Sequence, residues 1–571
     1  MEKRVILAII LTFLIIFGWG LIQSKISPPP KEKVKKEEVK PAEKRETKPL
    51  IEDRSIKDLK GESKKFTKKE ISVETKNYWA IFTNEDARLK HFKLKGYKDR
   101  VMESAITIKM IKFIKEIFGG KGEDLKRPNP FDLVNTKEEE GLPLGLLIDP
   151  DDKNLGWEVD NERLSLLKEG EKGEVIFSKE LSNGLRLLKK YIFSSDRCDI
   201  DIVVEFQNPT PQDQNIRVGL QWIGRVELER LAEEGNKDYG LRYVYLKNRK
   251  IEKKNLGGST SSGCTPGCGT VKKKIDPFEF SDKGVIDWYA FEGEYFVALI
   301  VTPPSEKEVL LNVKGQENNI LKATLLSSPI SLPTKNSISM NYKVYLGPKE
   351  ITALKAFGKG AEGLVDFGFF AIIAKPLLWF LKLTHLFTKN FGLDIIILSI
   401  LIKIIFLPLT QISMRSMKEM QKVQPEMNRL RQQFKDDKAR LQQEIMLLYK
   451  RRKINPMSGC LPMLIQIPVF IALYNALQNS IEMRHAPFIL WIRDLSAKDP
   501  IYITPLVMGA TMVIQQKMTP TAADPAQAKI FMLMPIMFTF LFLNFPSGLV
   551  LYWLVNNVLS IAHQYYMNKK G

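Results

Sequence analysis

Residues 393–410 read LDIIILSILIKIIFLPLT, a stretch apolar enough to cross a bilayer yet interrupted by Lys403. Crossing takes roughly 20 predominantly apolar residues. A lysine near the middle of such a helix costs about 2.5–3.5 kcal/mol on insertion scales, so the charge is a functional candidate by default. The plainer alternative is that Lys403 snorkels on its long stem to a membrane interface marked by Pro408.

The rest of the chain fits a membrane protein with a large water-soluble part. It has 571 residues and a formal net charge of +20, with 44% hydrophobic residues unevenly spread. The final third is rich in Met and Phe, and the earlier part is charged. Such a length allows several domains. Four cysteines make no disulfide framework. Cys264 and Cys268 form a close pair in a Gly/Ser-rich loop, read as incidental or as a local disulfide rather than as a metal site, since zinc usually takes four ligands. Four histidines, no HExxH and no GxSxG leave no hydrolase signature. His91 falls in an alternating strand and reads as structural.

In order, residues 1–24 carry Glu2, Lys3 and Arg4 and then an apolar run from Val5 to Ile22 without a small-residue cleavage site. They read as an uncleaved transmembrane signal anchor, with a cleaved signal peptide as the alternative. Residues 25–69 are rich in Pro, Lys and Glu, a disordered tether. Residues 70–349 show many short alternating strands, such as 199–206 and 338–345, which predicts a β-sandwich. Residues 350–391 contain a broad apolar helical face interrupted by Lys375, Lys382 and His385, read as an amphipathic helix lying in the interface. Residues 392–567 hold the remaining spans. Within them, 412–456 is a strongly basic helical hairpin with breaks expected at Gln424-Pro425 and at 434–438. Its positive excess places it in the cytoplasm, with both termini, and the β domain outside. The same charge suits docking to anionic lipid or ribosomal RNA, or serves topology alone.

Four stretches of the membrane region carry a resemblance: Lys403-x4-Pro408-Leu409-Thr410, NPMSGCLPMLIQIP at 455–468, APFILWIRDLS at 486–496 and NFPSGLVLYW at 544–553. From these the chain resembles the YidC family of bacterial membrane-protein insertases, in the form with a large periplasmic domain. The resemblance implies a polytopic α-helical protein of about six transmembrane helices. It also implies a periplasmic β-sandwich of the supersandwich type, and five core helices around a groove open to cytosol and lipid. A positive residue, usually arginine, is the central feature of that groove; here it falls on Lys403. Family polar positions fall on Ser399, Tyr552 and Trp553, the last where tyrosine is common.

The expected mechanism follows from the cost of dragging polar backbone through hydrocarbon. Lys403, with Gln411 near the mouth and Ser399 deeper, keeps a groove wet and draws in acidic residues of a substrate tail. The apolar part of the substrate leaves along an adaptable surface, for which Met463, Leu464, Phe470, Phe531, Met534 and Phe538 are candidates. Ordinary helix packing is the alternative for these six. No cofactor, metal or covalent chemistry is implied. With no nucleotide loop, the energy comes from substrate hydrophobicity and the membrane potential, about 2.3 kcal/mol per charge per 100 mV. Implied partners are nascent inner-membrane proteins, the Sec translocon, the ribosome through the basic hairpin, and membrane lipids. The alternative class is a polytopic ion-coupled transporter, which predicts inverted repeats that the chain does not show. An intramembrane protease would need paired acids in the spans, and Asp394 stands alone at a span end.

Overall fold

The computed structural model describes residues 67–102, 107–110, 112–113, 127–149, 156–227, 242–255, 275–316, 318–435, 437–452, 461–518 and 525–569. The signal anchor, the tether up to residue 66, and Cys264 with Cys268 lie outside the described residues.

Residues 70–348 form three sheets of five, nine and six strands. In the widest sheet β10 (Asp199–Gln207) lies between β9 (Arg186–Ser194) and β20 (Ser337–Pro348), antiparallel to both. Alternation explains the packing. In β9 the side chains of Leu187, Lys189, Tyr191 and Phe193 are buried while their neighbours are partly exposed. Phe82 of β2 (Tyr78–Thr83), in the five-stranded sheet, meets Tyr191 at 4.6 Å and Phe193 at 5.8 Å between ring centres. Burying each such ring stabilises the fold by about 1.5–3 kcal/mol.

Lys189 shares that inward face and is fully buried. Its amine donates to the carbonyls of Ala87, at 2.9 Å, and Leu144, and stands 5.0 Å from the Tyr191 ring centre. Burial pushes the amine down to about 7, because low-polarity surroundings disfavour the charged form. The strand expected around His91 is present as β3 (Arg88–Lys98), with His91 Nδ1 2.7 Å from Asp132 Oδ2.

The β domain continues into the helices without a gap. Lys349, following β20, forms a buried pair with Glu292 at 3.2 Å. Helix α1 (Ile351–Phe357) then buries Leu354 and Phe357 in a cluster with Trp288 and Tyr345. Further on, Phe367 packs with Ala374 and Leu378 of α2 (Ala371–Thr388) and Ala472 of α6 (Leu461–Gln478). The expected amphipathic segment is therefore one helix, unbroken at Pro376, with one face on protein. Its other side exposes Ile372, Trp379, Leu386 and Phe387.

Two helix boundaries differ from the sequence reading. The 393–410 stretch is not one helix: α3 (Phe391–Ile405) ends two residues after Lys403, and α4 (Leu407–Gln433) departs at 60°. Pro408 explains the break, since proline suits a helix's first turn and disfavours helix in the residue before it. Lys403 thus sits in the last turn of α3, where the helix dipole favours a cation. Conversely, no break occurs at Pro425, which lies inside α4. Only one carbonyl loses its donor there, and α4 recovers by packing Val423 and Met427 against Leu448 of α5 (Lys438–Arg451). The break at 434–438 is present, with the Asp437 carboxylate capping α5 through the Arg440 N–H at 3.0 Å.

Helices α7 (Ile503–Met518), α8 (Pro525–Phe542) and α9 (Ser547–Lys569) complete the core. Among the described helices, α2 is long and apolar enough to cross a membrane by itself, and the bent α3–α4 pair is so as a broken span. The apolar parts of α6 and α8, Ile465–Gln478 and Met532–Phe542, are shorter.

Candidate functional site

The site is the seam where α9 meets α3 and α6. Apolar residues hold it shut: Ile395, Leu398 and Ile402 of α3, Leu473 of α6, and Leu549 and Tyr552 of α9 share one buried cluster. Into this setting α3 projects Lys403, whose Nζ donates to Ser560 Oγ of α9 at 2.6 Å. Ser560 passes its own hydrogen to the Asn556 carbonyl at 2.7 Å. An ammonium carries three donors, and no carboxylate among the described residues pairs with this one.

The other expected groove residues have distinct placements. Ser399, one turn before Lys403, is fully buried and donates to the Ile395 carbonyl at 2.7 Å, so its hydrogen is spent within α3. Tyr552 is fully buried, and its hydroxyl accepts from Gln466 Nε2 of α6 at 3.4 Å. Trp553 faces another way, into an aromatic cluster with Phe470 at 5.1 Å, Phe542 at 5.2 Å and Phe538 at 6.1 Å. Gln411 lies half-buried on α4, across the 60° bend from Lys403.

Of the six candidates for the exit surface, Phe470 and Phe538 are half-buried in the Trp553 cluster. Met534 is half-buried on α8, beside the exposed Met532, Leu533, Ile536, Met537 and Phe540. The side chains of Met463, Leu464 and Phe531 lie outside the described residues.

Two groups and one pairing escaped the sequence reading. Asn556 and Ser560 share the seam with Lys403 and could have been found: Tyr552, Asn556 and Ser560 recur every four residues along α9. Asp394 is fully buried, 2.9 Å from His385 Nδ1 and accepting from Thr388 Oγ1 at 2.7 Å, which clasps α2 to α3. Nothing in their spacing announces this pairing.

The segment between α6 and α7 ties the helices to the β domain. Arg484 lies over the rings of Phe131, at 5.5 Å, and Phe296, at 5.0 Å, and donates to the Lys98 carbonyl at 2.7 Å. Ile481 joins the β-domain core. Burial and the neighbouring Arg484 charge push the His485 imidazole down to about 3, so it is neutral there. The same segment touches the start of α3: the Asn390 side chain donates to the Phe488 carbonyl at 3.0 Å. A Cβ on Gly392 would collide with the Phe488 ring at 2.0 Å.

A family model described as the 60Kd inner membrane protein matches residues 382–571, and one described as the YidC periplasmic domain matches residues 122–380. The chain is 39% identical over 509 residues to the membrane protein insertase YidC of Syntrophus aciditrophicus, covering 88% of this chain and 85% of that protein. It is 38% identical over 581 residues to the membrane protein insertase YidC of Geotalea daltonii, covering 100% of this chain and 99% of that protein. Among solved structures, a crystal structure of an active YidC insertase with its first transmembrane domain resolved aligns at 18% identity. That alignment has a TM-score of 0.36 and covers 88% of this chain and 93% of the other.

Proposed function

The chain belongs to the YidC family of membrane protein insertases, inner-membrane proteins with a periplasmic domain, and from that premise we propose that Lys403 is the point at which it attracts a substrate's polar tail. The family is one of insertases, not enzymes. One observation carries the reading: Lys403 reaches across the α3–α9 seam to a single hydroxyl, Ser560 Oγ, and meets no carboxylate among the described residues. A cation kept in an apolar wall without an acid partner is held for a transient one.

In this reading the polar line of Lys403, Ser560, Asn556 and Tyr552 keeps a groove hydrated, with Ser399 deeper and Gln411 at the mouth. Water in the groove shortens the dry path of the tail, and screening keeps the attraction weak enough for release. The substrate's apolar segment then leaves past α6 and α8, where Met463, Leu464, Phe470, Phe531, Met534 and Phe538 are the proposed surface. The exposed Met532, Met537 and Phe540 of α8 support an apolar exit on that helix.

The α4–α5 hairpin is cytoplasmic in this reading and contacts ribosomes or anionic lipid. Both termini are cytoplasmic, α2 lies in the outer interface, and there are six spans counting the signal anchor. Substrates are nascent inner-membrane proteins, handled alone or beside a Sec translocon. Lys403→Glu tests the charge: insertion of acidic-tailed substrates in an insertase-depleted cell is expected to be abolished. Full insertion by that variant would contradict the proposal.

A further inference from the structure

The polar line on α9 does not end at Ser560. His563 follows three residues later, on the same helical face. Tyr552, Asn556 and Ser560 all find partners inside the protein. His563 does not: neither Nδ1 nor Nε2 meets a hydrogen-bond partner among the described residues, although both atoms are covered. Lys403 lies near enough to act on the ring electrostatically.

An unmade hydrogen bond on a covered polar group is destabilising. Two such nitrogens on one ring beside a lysine indicate a partner from outside the chain. The chemistry selects its class. An ammonium only donates, and an imidazole adds a donor. An ionised carboxyl group offers about four acceptor sites and suits such a set of donors.

We propose that His563 forms a second contact for carboxylates of a substrate tail, about one helical turn beyond Lys403 toward the end of α9. This rests on the reading of Lys403 as the attracting charge, and it makes His563 a specificity-determining residue. Three residues of helix rise about 4.5 Å, and an extended chain advances about 3.4 Å per residue. Tails with two acids one or two residues apart therefore engage both contacts.

The test uses the full chain in insertase-depleted cells with two versions of one single-span substrate, its tail carrying either two Asp or two Asn. His563→Ala is expected to slow insertion of the Asp tail about tenfold, the size of one hydrogen bond to a charged group. The Asn tail should insert as with wild type. His563→Gln, which keeps a donor and an acceptor, should restore the Asp tail. No loss with His563→Ala, an equal loss for both tails, or a loss that Gln does not recover would overturn the proposal. Lys403→Ala, run in parallel, separates the two readings. If it leaves Asp-tail insertion intact, the Lys403 reading falls; if it blocks insertion while His563→Ala does nothing, only the inference about His563 falls.

Discussion

Two lysines placed in apolar surroundings show how differently the two halves of this molecule use a buried charge. Lys189, in the β domain, is clasped by two backbone carbonyls, from Ala87 and Leu144, and flanked by a tyrosine ring. Lys403, in the helical core, has one serine hydroxyl. The first amine has its acceptors built in and serves the fold. The second keeps donors to spare, and beyond Ser560 on α9 stands His563, whose ring nitrogens have no partner among the described residues. Exposure follows the same division. Most large apolar side chains left exposed belong to the helices, among them Trp379, Phe387, Met532 and Phe540. The β domain is packed for water, and the helical core is built for lipid and a passing guest.

The contrast is sharpest under a change of pH. Lys189 has a folded pKa of about 7, below the 10.5 of an ordinary lysine, so between those values the unfolded chain binds more protons. Stability of the β domain should therefore rise as pH increases from about 7 to 10.5, and be flat for this group below 7. At about 1.4 kcal/mol per pKa unit the full rise is about 5 kcal/mol. Denaturant unfolding of the full-length protein, followed by tryptophan fluorescence at pH 6, 8 and 10, reads it. Lys189→Met should remove most of the slope; an unchanged slope would show that Lys189 is not the group responsible.

A smaller effect is expected where the two halves meet. Arg484→Ala deletes the contacts with Phe131 and Phe296 and the bond to the Lys98 carbonyl. A desolvated cation over a ring is worth about 2 kcal/mol, so opening of the 481–499 segment should become roughly 30-fold more frequent. Hydrogen exchange should show this at 481–499 and near Lys98, and leave β9 and β10 protected. Loss of protection throughout the β domain would mean that Arg484 supports the fold rather than the junction.

What the sequence disclosed and what it withheld divide along physical lines. Hydropathy and turn residues located the helices of the core, and alternation located the strands. Alternation did not place Lys189 inside: Leu188, Lys190 and Ile192 form an opposite phase of β9 as apolar as that of Leu187, Lys189, Tyr191 and Phe193, and only the packing of the sheets separates the two. Proline misled in both directions. Pro408, at the first turn of α4, marked a helix start that the long apolar run concealed, and Pro425 was tolerated inside α4. Pairings between distant positions left no local trace: β10 with β20, Asp394 with His385, and Arg484 with Phe131 and Phe296. At the proposed site, Lys403 stood out as a charge in an apolar run, and Ser399 and Tyr552 were candidates through the family resemblance. Asn556 and Ser560 were signalled by their four-residue spacing along α9 from Tyr552, and His563 required seeing which face of α9 meets α3.

The most direct test of the central claim is complementation of an insertase-depleted cell with wild type, Lys403→Arg and Lys403→Ala, each checked for correct insertion. Growth with wild type and Lys403→Arg, but not with Lys403→Ala, is the predicted result, since arginine keeps the charge at the seam. Equal growth with all three would contradict the claim and reduce Lys403 to a residue that snorkels or hydrates.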